Sequence, residues 1–150
     1  MARYLTTVAA VLLVDLSGCA PLEDHFQVTG DATEEEVAIM QEASDAWCEA
    51  SEGAWCAKMN REEGANKIRI VPVGVLPGKD HAIYTHHRGL YEWHEIRITD
   101  RRERGTWEFD LYFTVVHELG HAYGLHHQSG TVMQVGYDRK QFTLPEGVTQ

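Results

Sequence analysis

Basic residues are scarce in this 150-residue chain: 13 Lys and Arg stand against 23 Asp and Glu, for a net charge of −10. A surface of that sign repels phosphate backbones, and no basic stripe interrupts it, so a nucleic-acid partner is excluded. No apolar run is long enough to cross a bilayer as a helix, no internal repeat occurs, and no segment is of low complexity. Cysteine occurs at three positions only, Cys19, Cys48 and Cys56. What is present is the length and the 43% apolar content of one ordinary globular domain.

The N-terminus reads as a processed leader. Arg3 precedes a short apolar run, Leu5 to Val14, broken only by Thr6 and Thr7, which fits the core of a secretory signal. Leu16-Ser17-Gly18-Cys19 follows and resembles the bacterial lipobox, although Asp15 places a charge unusually close to the run. The resemblance implies loss of residues 1–18 and lipidation of Cys19. It also implies a membrane-anchored protein of the bacterial cell envelope, facing the periplasm or the exterior. The alternative is a plain secretory signal, an incidental cysteine and a secreted protein. Residues 19–32 then form a tether with little periodicity, and residues 33–150 the folded domain. In an oxidising compartment the remaining pair, Cys48 and Cys56, reads as a disulfide, the alternative being two reduced, buried thiols.

Thr33-Glu34-Glu35-Glu36 has the form of a capping box, and Val37, Met40, Ser44, Trp47 and Cys48 recur behind it at helical spacing. A first helix to about Ala50 follows, with Met40 and Trp47 as core. Strands are expected over residues 67–73, 81–87 and 95–99, where apolar and polar side chains alternate, and 100–105 reads as a solvated loop. Asp110 is placed to cap a second helix with an apolar stripe of Leu111, Val115, Leu119 and Ala122, and Gly124 to end it in a left-handed turn. The order predicts an α+β domain, a twisted sheet carrying both helices.

Chemistry concentrates in His117-Glu118-Leu119-Gly120-His121-Ala122-Tyr123-Gly124-Leu125-His126-His127. Histidines four apart share one helix face, so both imidazoles of His117 and His121 reach one metal ion. A sharp turn at Gly124 lets His127 fold back as a third ligand. Three neutral imidazoles with an open fourth position describe one catalytic zinc ion. Glu118 stands beside that position as general base for a water whose pKa the metal lowers.

This stretch resembles the metzincin metallopeptidase signature, most closely its matrixin branch, in the Asp110-to-Val116 approach and in Ala122-Tyr123-Gly124-Leu125. The resemblance implies a small zincin-like domain with a mixed sheet, and a zinc-dependent endopeptidase acting on polypeptide as a monomer. It makes Met133, in Ser129-Gly130-Thr131-Val132-Met133, the residue of a tight turn beneath the metal, and the family spacing selects His127 over His126. It also implies a substrate-binding edge strand, for which Ile83 and Tyr84 are the candidates. Val135 stands where some branches carry an assisting tyrosine, and Tyr137 comes later. Structural calcium or a second zinc is not supported, because His81, His86, His87 and His94 lack accompanying aspartates and read as surface residues. Two other functions stay open: a zinc-holding surface binding module without turnover, and a metallohydrolase of a non-protein amide.

Overall fold

Apolar side chains at alternate positions build the sheet of this protein, whose computed structural model describes residues 24–78 and 81–135. Val28, Ile68 and Ile96 form one continuous buried row across three strands, and Ile70 and Ile98 form the next. Lys67, Arg69 and Arg97 alternate with them and point to the other face, as the period of two requires. The elements run in the order β1 (Asp24–Thr29), α1 (Glu34–Ala50), β2 (Ala57–Asn60), β3 (Asn66–Val71), β4 (Ala82–His87), β5 (Trp93–Thr99) and α2 (Trp107–Ala122). The sheet order is β2-β1-β3-β5-β4. Every pairing is parallel except β4 with β5, which puts the antiparallel strand at an edge. The expected α+β architecture with a mixed sheet is the one observed.

The helices pack on each other, with α1 also against β2 and α2 against β4 and β5. Trp47, fully buried, ties them together by donating its indole N–H to the carbonyl of Val116 at 2.8 Å. Below it lie Phe26, Met40, Ile68, Leu111, Val115 and Leu119, the heart of the core. Thr33 and Glu36 form the expected capping box on α1. A disulfide joins Cys48 to Cys56, closing the loop between α1 and β2. Among the described residues no helix is long and apolar enough to cross a membrane.

Several expectations need correction. Residues 24–29, assigned to the tether, are an interior strand of the sheet. Only Phe26 and Val28 carry its apolar face, and two apolar side chains in six residues are too few to mark a strand by alternation. β2 is shorter still, four residues, and is absent from the expected strands. The strand expected over 67–73 stops at Val71, because Pro72 has no N–H to continue the ladder. Asp110 does not cap the second helix, which begins one turn earlier with Thr106 as N-cap. Trp107 is held there by its indole N–H donating to Glu36 at 2.6 Å, and Asp110 instead accepts from the Thr106 hydroxyl at 3.1 Å. The loop at 100–105 is not simply solvated, since the Arg102 side chain reaches Glu36 with two bonds of 2.6 and 2.7 Å. The leader, Cys19 and Tyr137 lie outside the described residues.

Candidate active site

The C-terminal half of α2 and the turns after it assemble the site. His117 and His121 stand one turn apart on α2 with ring centroids separated by 4.9 Å. The helix then ends in a paired-bond turn: Gly124 N–H donates to His121 carbonyl and Leu125 N–H to Gly120 carbonyl, at 3.0 and 2.9 Å. That turn requires the left-handed backbone at Gly124, whose φ is +86°. Beyond it His127 returns to the helix, its ring 4.8 Å from His121 and 5.3 Å from His117. The expected bend at one glycine is what brings the third imidazole in.

Carbonyl groups fix how the rings are presented. The Nδ1 of His117 donates to the Val132 carbonyl at 2.7 Å, and the Nδ1 of His121 donates to the Leu125 carbonyl at 2.9 Å. With Nδ1 so engaged, each Nε2 carries a lone pair, the tautomer that suits a metal ligand. The Nε2 atoms of His121 and His127 face each other at 3.2 Å. One ligand atom from each of the three histidines lies within 4.8 Å of the others, the one such group of potential metal ligands among the described residues. Such a donor set fits a zinc-sized cation. Burial, outweighing the carbonyl hydrogen bonds and aided by the neighbouring imidazoles, pushes the pKa values of His117 and His121 below the ordinary histidine range. The neutral form that coordination demands is therefore favoured.

Glu118 is 7% exposed and lies three residues before His121, the spacing that makes two side chains neighbours on a helix. Met133 is 0% exposed and belongs to a tight turn in which Gln134 N–H donates to the Thr131 carbonyl at 3.1 Å. It packs on α2 at Gly120, between the two helical histidines: a Cβ there would lie 2.2 Å from the Met133 Sδ. The residue before it, Val132, supplies the carbonyl that orients His117. The methionine turn and His117 are thus one mechanical unit.

The chain matches the matrixin peptidase family over residues 23–147. It belongs to the matrixin family. Matrixins are zinc metallopeptidases, so the match and the histidine cluster agree on chemistry as well as on fold. No curated protein is matched at a significant level.

Within this matrixin the edge strand β4 runs past the site, with the Tyr84 ring 6.3 Å from that of His121 and its hydroxyl 2.7 Å from His94 Nδ1. Ile83 points to the opposite face of the sheet, in register with Arg97. His126 is exposed and contributes no ligand atom to the group formed by its neighbour. Of the histidines read as surface residues, His81 is exposed, whereas His86, His87 and His94 are half-buried. His86 stacks on His94 at 4.7 Å and His87 on Trp93 at 3.7 Å. Sequence reasoning missed Gly120 and the carbonyls of Leu125 and Val132. A lone glycine inside an otherwise helical pattern is a signal of close packing, but backbone carbonyls leave none.

Proposed function

We propose that this matrixin is a one-zinc endopeptidase in which His117, His121 and His127 hold the ion through their Nε2 atoms and Glu118 is the general base. The observation that carries this reading is the convergence of three imidazoles beside a buried carboxylate. Zinc, when bound, acidifies water and polarises a carbonyl. Glu118 takes the proton of the attacking water and passes it to the departing amine, one carboxylate serving both steps of peptide hydrolysis. The carbonyls of Val132 and Leu125 hold His117 and His121 at fixed angles throughout. Among the described residues β4 pairs on one side only, so its outer edge is open to an extended polypeptide running alongside through main-chain hydrogen bonds. Tyr84, on that strand, brings its ring within 6.3 Å of His121. Cys19 is proposed as a lipid anchor holding the domain at the cell envelope.

The test is Glu118→Gln. Zinc content remains at one ion per chain, and cleavage of a peptide library falls by at least about 100-fold, the scale of general-base catalysis. A variant that cleaves like the parent refutes the mechanism. Cleavage of cell-wall fragments, with peptides left intact, would point instead to a non-protein amide.

A further inference from the structure

The loop between α1 and β2 reaches the active-site helix from behind. Its ends are joined by the Cys48–Cys56 disulfide, whose Cα atoms are 4.4 Å apart. Inside it Glu52 and Gly53 adopt left-handed backbone conformations, with φ of 53° and 89°. A non-glycine residue there resists that conformation, so the loop needs closure to hold its shape. Two bonds finish it: Gly53 N–H to the Cys48 carbonyl at 2.8 Å and Trp55 N–H to the Ser51 hydroxyl at 2.8 Å. The product is one presented side chain, Trp55, adjacent to Cys56.

Trp55 stacks on Tyr123 with centroids 5.1 Å apart and planes 12° from parallel. Trp47 meets the edge of the same tyrosine at 6.0 Å. Tyr123 is the C-cap of α2, immediately before Gly124. The turn it opens supplies the Leu125 carbonyl to His121 and delivers His127. A continuous series of contacts therefore leads from the disulfide, through Trp55 and Tyr123, to two of the three metal ligands.

We infer that Trp55, held by the Cys48–Cys56 bridge, is a positioning residue for the metal site, clamping the helix end from which His121 and His127 are aimed. The inference rests on the zinc reading of the three histidines. Its consequence is that metal affinity depends on a disulfide linked to the histidines through Trp55 and Tyr123. Aromatic stacking of this kind is directional, so removing the ring frees Tyr123 to move with the turn.

Zinc affinity, measured by competition with a chromogenic chelator on the full chain, tests this. Trp55→Ala raises the zinc Kd about 10-fold or more, the usual effect of disturbing groups behind a metal ligand. Cys48→Ser with Cys56→Ser moves it in the same direction without leaving thiols to bind zinc, and Trp55→Phe restores most of the affinity. Should Trp55→Ala fail to fold, Trp55→Leu carries the same expectation, because it keeps bulk and removes the stack. Arg102→Gln is the control: it loosens α1 at Glu36, about three turns from Trp47, and lowers Tm while leaving Kd unchanged. Parent-like affinity in Trp55→Ala, or an equal loss in Arg102→Gln, overturns the inference. A parent chain that binds no zinc overturns the site reading and takes this inference with it.

Discussion

Replacing Gly120 with alanine probes the packing under the metal site, because two opposing effects can be weighed there. A helix interior gains about 1 kcal/mol from Gly→Ala, since glycine loses the most backbone freedom on folding. Against this, the new Cβ would sit 2.2 Å from Met133 Sδ, 3.0 Å from Met133 Cε and 3.2 Å from Trp47 Cζ2. A methionine tip swings aside readily on a surface, but Met133 is 0% exposed and packed in the core, so its tip can move only by displacing its neighbours. Trp47 is pinned by its bond to the Val116 carbonyl. Overpacking costs about 1–3 kcal/mol, and with two buried neighbours in the way the upper part of that range, about 2–3 kcal/mol, applies; after the helix gain the variant is less stable by about 1–2 kcal/mol. Displacement of Met133 also drags the Val132 carbonyl that holds His117. Zinc affinity therefore falls about 10-fold in parallel. Urea unfolding of the metal-free chain gives the first quantity and chelator competition the second. An alanine variant as stable as the parent, with the parent's Kd, would refute the packing argument.

Glu36 provides a pH prediction. Burial raises its pKa, but hydrogen bonds from Arg102, the Thr33 amide and Trp107, with the charge of Arg102, overcome this and bring it from 4.5 to about 2. A carboxyl depressed in the folded state stabilises fully above its unfolded pKa and loses that contribution as pH falls towards about 2. The loss is on the order of 3 kcal/mol. Urea unfolding between pH 6 and pH 2, at approximate steps of one unit, should show this slope in the parent and a much flatter one in Glu36→Gln. Gly124→Ala forces a side chain into the left-handed region and costs about 1–2 kcal/mol. It also weakens zinc binding; unchanged stability by thermal melting would contradict the turn.

The clustering of the three histidines was more legible than the strands around it, for physical reasons. Histidines at positions 117, 121 and 127 are bound to one another by helix period and a glycine turn, which are local rules that act within eleven residues. Thr33 and Glu36 obeyed an equally local capping rule. β1 was hidden because an interior strand of six residues shows only two apolar side chains, and its place depends on partners at residues 57–60 and 66–69. The start of α2 was displaced by a contact across 71 residues, Trp107 to Glu36, which outweighs the local preference of Asp110 for a cap. Arg102 escaped for the same reason: in a run of charges, nothing local marks the residue that meets a buried carboxylate.

Metal titration of the parent chain beside His127→Ala addresses the central claim most directly. The parent should bind one zinc ion and cleave peptide in a manner reversed by chelator, and the variant should lose both high-affinity binding and turnover. Undiminished affinity and cleavage in His127→Ala would show that the third imidazole is no part of the site.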